Sequence, residues 1–167
     1  MEEEIKVVKM SDKTAIKLLN DRGVQIEDIA KLVYYLQEKY HPSLDMKDCI
    51  HNVERVLAKR EVQNAIITGI QLDVLAEKKL LEGPLQAMIE TDEGLYGVDE
   101  ILAFSIVNVY GSIGFTNYGY IDKQKPGILQ ELNDKSSGKI HTFLDDLVGA
   151  IAAAASSRLA HRAANVD

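Results

Sequence analysis

The feature that most constrains this chain is an uncharged run at residues 147–157, LVGAIAAAASS, with Asp145-Asp146 before it and Arg158 after it. Alanine has the highest helix propensity, so the composition predicts a helix over about 143–162. Gly149, Ala153 and Ser157 recur every four positions and put small residues on one line of that helix, where a neighbouring backbone can come close. A helix with no charged stripe to offer water belongs inside a bundle.

A second segment, residues 98–110, carries Ile101, Leu102, Ala103, Phe104, Ile106, Val107 and Val109, apolar on every side. One of these two helices is expected at the centre, with the others around it. Upstream, helical periodicity appears over 11–22, 26–40, 45–60, 62–81 and 84–90. Ser11 is placed as an N-cap, Gly23 as a C-terminal glycine and Pro84 in a first helical turn. No segment alternates with period two between hairpin turns. The expected fold is all-α: a single-domain, multi-helix bundle over residues 1–167, with N-terminal helices in about 11–90 and a motif-bearing part in about 97–160.

A chain of 167 residues with 46% hydrophobic and 27% charged residues can bury a full core. The formal charge of −7 argues against a nucleic-acid partner, which would require a basic face. It favours a cation instead. The single cysteine, Cys49, excludes an internal disulfide and fits a reducing cytoplasm, where a buried small hydrophobe is its expected role. The acidic start MEEEIK is unlike a signal peptide. The uncharged stretch 101–121 is long enough to cross a bilayer but too polar in its second half, so it reads as a buried helix followed by a loop, with no transmembrane segment. Low-charge helices and a small-residue face make a homo-oligomer the expected assembly.

The candidate chemistry lies at helix starts. Asp99 and Glu100 open one apolar helix, and Asp145 and Asp146 open the other. Acids in a first turn complement the helix dipole, and Thr142 with Asp145 fits a capping box. Yet four carboxylates brought together repel one another, and a lysine, a helix N-terminus or a divalent cation must offset that. Oxygen ligands favour Mg²⁺, Mn²⁺ or Ca²⁺ over zinc. Asp122 and Lys125 are placed in the turn between the two helices, where Lys125 could hold a substrate phosphate beside one or two ions. His141, next to the Asp pair, is a weaker candidate proton donor. His51 with Asp48 and Glu54 reads as a solvated face.

The three segments Val98-Asp99-Glu100, Tyr120-Ile121-Asp122-Lys-Gln-Lys125-Pro126 and Leu144-Asp145-Asp146-Leu-Val-Gly149 together resemble the phosphatidylglycerophosphatase A family, in a small, soluble, all-helical bacterial branch. The resemblance spans about residues 97–158. It implies Mg²⁺-dependent removal of the terminal phosphate of phosphatidylglycerophosphate to give phosphatidylglycerol, by a cytoplasmic protein that could touch the inner face of the cell membrane peripherally. It implies metal ligation by Asp99, Glu100, Asp122, Asp145 and Asp146, and phosphate binding by Lys125. Asp122, Lys125, Asp145 and Asp146 form the implied catalytic set. Two other expectations stand beside it: a phosphatase for a soluble phosphomonoester, and a non-enzymatic helical oligomeric binding protein whose acids only cap helices and pair with lysines.

Overall fold

The computed structural model describes residues 12–164. The order is α1 (Asp12–Asp21), α2 (Ile26–Gln37), α3 (Met46–Leu57), α4 (Arg60–Glu77), α5 (Gly83–Glu90), α6 (Val98–Val107), α7 (Ser112–Gln124), α8 (Ile128–Asn133) and α9 (Leu144–Ala164). Short 3-10 turns at Asn108–Tyr110 and Lys135–Ser137 complete it, and there is no strand among the described residues. The expected cap Ser11 lies outside the described residues.

Local chemistry sets most boundaries. Asp45 caps α3 by accepting the Asp48 N–H at 2.8 Å, and Asp28 returns a bond to the Gln25 N–H at the start of α2. Helix α4 stops at Glu77, short of the expected 81, because the chain turns left-handed at Lys79 (φ +59°).

Helix α9 is the centre. It packs against α2, α3, α4, α6, α7 and α8, and its residues from Leu147 to Ser157 are buried, Gly149 included. Helix α6 does not share that position. Ala103, Ile106 and Val107 face inward, while Val98 and Ile101 are exposed at 50% and 64%. Its uniform apolar character therefore has a surface side.

Helix α7 corrects the sequence reading, which placed a loop after about residue 110 in the stretch 101–121. Two glycines inside a helix cost about 1 kcal/mol each relative to alanine, and this masked the periodicity. Packing offsets that cost. A Cβ on Gly114 would stand 2.9 Å from Val107 Cγ1 and 3.4 Å from Ser157 Oγ, so the glycine permits a close approach to the end of α6 beside α9. At the other end of the small-residue line, Tyr118 and Ile121 of α7 lie over Gly149.

Candidate active site

Four helix ends meet at one cleft of about 190 Å³. The start of α6 brings Asp99 and Glu100, the end of α7 brings Asp122 and Lys125, the start of α9 brings Asp145 and Asp146, and the end of α8 brings Asn133. The turn after α5 adds Asp92. Asp99, Glu100, Asp122, Lys125, Asp145 and Asp146 thus line a single cleft, and of the sequence-predicted candidates His141 lies outside it. Their settings differ: Asp99, Asp145 and Asp146 are buried, Asp122 and Lys125 are half-buried, and Glu100 is exposed at the rim.

Asp122 and Lys125 were expected in a turn, but Asp122 belongs to the last turn of α7. Lys125 is its C-cap, with φ +44° and ψ +54°, and Pro126 follows and prevents continuation. This left-handed residue places the ammonium between two carboxylates, 3.1 Å from Asp122 Oδ1 and 3.4 Å from Asp145 Oδ2. Burial works against the charged lysine, but Asp145 and Asp122 outweigh it and hold its pKa above the ordinary value.

The acids in the cleft are held in an unfavourable state. Burial pushes Asp145 up to about 6; the Lys125 charge pulls it down, and Asp92 opposes that pull. Asp146 is pushed up to about 9 by burial, by the Asp145 charge and by its hydrogen-bonded neighbour Asp99. Tyr118 donates its hydroxyl to Asp146 Oδ1 at 3.1 Å. Asp92 is also raised, first by burial. The N-termini of α6 and α9 point their positive ends at this cluster and offset part of the repulsion.

The expected capping box at Thr142 does not form. Thr142 Oγ1 donates to the Ile89 carbonyl at 2.6 Å, and Asp145 Oδ1 accepts the adjacent Asp146 N–H at 2.8 Å. The cap of α9 comes from α4: Asp73, wholly buried, accepts the N–H groups of Phe143 and Leu144, each at 3.0 Å. His141 stands beside Asp145 on a second, larger cleft of about 260 Å³. Its Nδ1 lies 3.1 Å from the Leu132 carbonyl, which calls for a proton there and fixes the ring, and burial lowers its pKa.

Asp73, Asp92, Tyr118 and Asn133 were missed by sequence reasoning. Only Asp92 left a local signal, as part of the turn-forming Thr-Asp-Glu-Gly segment. Among the described residues, no three of the carboxylates, imidazoles or thiols are disposed to hold one metal ion as they stand. The donor chemistry nevertheless suits a hard divalent cation. The ligands are all oxygen, and a bound cation would relieve the mutual repulsion of Asp99, Asp145 and Asp146.

Fold and cleft together define an all-helical protein with an acidic, lysine-containing site at the head of its central helix. No helix among the described residues is long and apolar enough to cross a membrane. The model of the family Phosphatidylglycerophosphatase A matches residues 19–161, and the chain belongs to that family. It is 72% identical over 149 residues to the uncharacterized protein YutG of Bacillus subtilis, covering 89% of this chain and 90% of that one. A solved structure of a protein of unknown function from Bacillus stearothermophilus superposes with a TM-score of 0.91 at 74% identity, over 93% of this chain and 98% of that chain. The low temperature requirement C protein from Listeria monocytogenes gives 0.90 at 67% identity, over 92% and 96%.

Proposed function

We propose that this protein is a Mg²⁺-dependent phosphomonoesterase that removes the terminal phosphate of phosphatidylglycerophosphate to give phosphatidylglycerol at the inner face of the cell membrane. The observation that carries the reading is the Lys125 ammonium held between Asp122 and Asp145, in the same cleft as the hydrogen-bonded Asp99 and Asp146. Asp99, Glu100, Asp122, Asp145 and Asp146 would hold one or two Mg²⁺ ions. When bound, Mg²⁺ supplies positive charge against the phosphate and polarises a water. Lys125 moves from its carboxylate partners to the phosphate oxygens, which carry most of the charge in the transition state. Water attacks phosphorus, the ester P–O bond breaks, and the leaving alkoxide takes up the proton that the attacking water gives up, so that an alcohol and inorganic phosphate leave.

The lipid substrate is supported by the family description and by the rim of the cleft. Leu95, Val98 and Ile101 are exposed at 91%, 50% and 64%, in sequence next to the cleft residues Gly94, Asp99 and Glu100. Large apolar side chains facing solvent there suit contact with an acyl surface. The test is phosphate release from phosphatidylglycerophosphate against a panel of soluble phosphomonoesters, in Mg²⁺ and in EDTA. Release from the lipid, lost in EDTA and in Asp146→Asn, is the expected result. Release from soluble esters alone would move the substrate out of the membrane. No release from any ester would leave a binding protein.

A further inference from the structure

The far end of α9 carries an opposite arrangement. Arg158 and Arg162 lie one turn apart near its C-terminus, about 20 Å along the helix from Asp145 at 1.5 Å per residue. Arg55, in the last turn of α3, and Lys59, the N-cap residue of α4, share this face: Arg55 and Arg162 act on Arg158 as like charges, and Lys59 Nζ sits 5.1 Å above the Tyr110 ring. Among the described residues none of these four cations has a carboxylate within ion-pair distance, and what sets them apart from other unpaired lysines and arginines is that they lie together. On a chain of net charge −7, four unpaired cations on one face call for an anion.

The face is also built. Arg158 is half-buried and its Nη1 donates to Asn52 Oδ1 at 2.6 Å, while the buried Asn52 is itself fixed by donating to the Asp48 carbonyl at 2.8 Å. That arrangement orients the guanidinium fork before any ligand arrives. The Tyr110 hydroxyl is buried without a hydrogen-bond partner in the protein, within reach of the Arg55 and Arg158 charges. A buried hydroxyl left in that state is costly, and an oxyanion reaching it between the two arginines would accept its hydrogen bond. A groove of about 230 Å³ adjoins it, with Asn52, His51, Arg162 and the carboxylate of Asp48 on its walls.

We infer that Arg55, Arg158 and Arg162, with the Tyr110 hydroxyl and Lys59, form a second binding site for a phosphate-type oxyanion, remote from the acidic cleft. Paired guanidinium forks match the oxygens of phosphate, whether free or on a lipid headgroup. The site does not depend on the phosphatase reading.

The test uses the full chain in EDTA, where the acidic cleft has no metal to hold phosphate. Inorganic phosphate is titrated at constant ionic strength, with melting temperature as readout, into the wild type, Tyr110→Phe and the Arg55→Gln/Arg162→Gln double variant. Both arginines are exposed, so the double variant folds, and relief of like-charge repulsion leaves its phosphate-free melting temperature equal or higher. A parallel arm sediments each protein with phosphatidylcholine vesicles containing phosphatidylglycerol. Saturable stabilisation by phosphate, weakened about tenfold or more in the double variant, supports the site with a soluble ligand. Binding only to the anionic vesicles, lost in the same variant, supports it with a lipid source. Equal phosphate affinity in wild type and double variant, or no response to either probe, overturns it. An Asp146→Asn protein should bind phosphate in EDTA like the wild type, whatever its hydrolytic activity.

Discussion

The carboxylate of Asp73 on α4 accepts the backbone N–H of Phe143 at 3.0 Å, across 70 residues of sequence. With the Leu144 N–H also bound, one buried acid closes the start of the central helix and fixes where Asp145 and Asp146 emerge. Burial pushes this carboxyl up to about 8, against the pull of the two N–H groups. Asp73→Ala removes the cap and leaves both donors buried and unpaired, at a cost of about 3 kcal/mol. For a domain of this size that is a fall in Tm of roughly 6–12 °C. Asp73→Asn keeps an acceptor oxygen and should lose less than half as much. Chemical denaturation of the two variants checks the ordering.

The acid pair predicts how stability follows pH. Asp145 and Asp146 stand at about 6 and about 9 in the folded protein, above an unfolded value of roughly 4. Folding therefore takes up protons at these two sites. Their stabilisation is complete below about pH 4, and it is lost as pH rises through the two folded values. In EDTA, the stability of the wild type relative to Asp146→Asn should fall steadily between pH 5 and 9. Mg²⁺ competes with those protons, so its stabilising effect on the wild type should be larger at pH 8.5 than at pH 6 and absent in Asp146→Asn. Urea unfolding across that range, with and without Mg²⁺, measures both. A flat difference between the two proteins would count against the raised Asp146 pKa.

Tyr118 gives a separate prediction. Its hydroxyl donates to Asp146 Oδ1 at 3.1 Å and so favours the charged carboxylate. Tyr118→Phe removes that donor, costs about 1 kcal/mol of stability and raises the Asp146 pKa further. The pH at which Mg²⁺ half-saturates the protein should move upward in the variant. A variant that lost stability but kept the wild-type Mg²⁺–pH profile would assign Tyr118 to packing alone.

Much of the site could be read from the sequence because its residues are consecutive or sit at helix starts: Asp99-Glu100, Asp122 with Lys125, and Asp145-Asp146. The centre was legible only as a choice between two helices, since α6 and α9 both lack a charged stripe, and the sequence did not decide between them. Asp73 was not legible, because its partners are backbone N–H groups supplied by another helix, and no periodicity marks such an acid as a cap. Helix α7 was hidden by Gly114 and Gly119, whose low propensity is outweighed by the packing of Tyr118 and Ile121 of the same helix on α9. Glu100 differs from its neighbour in setting: successive helical residues point about 100° apart, so Asp99 is buried beside Asp146 while Glu100 lies exposed at the rim of the same cleft.

The packing of α7 on α9 makes the final prediction, a contrast between two glycines. A Cβ at Gly114 would meet Val107 Cγ1 at 2.9 Å and the Val107 carbonyl oxygen at 3.2 Å, and the carbonyl belongs to backbone that cannot move aside. Gly114→Ala should therefore cost about 1–3 kcal/mol. A Cβ at Gly149 would meet Tyr118 Cε2 at 3.6 Å and Ile121 Cγ2 at 3.7 Å, which is ordinary contact. Alanine there adds packing and removes the glycine penalty within a helix, so Gly149→Ala should be neutral or stabilising by up to about 1 kcal/mol. The small-residue line of α9 is thus not uniformly required. Gly114 itself is tight because Val107 of α6 stands over it, with Ser157 Oγ at 3.4 Å, while Gly149, near Asp145 and Asp146, has room for a methyl group. Thermal unfolding of the two single variants should move in opposite directions, and an equal loss in both would mean that Gly149 is packed as tightly as Gly114.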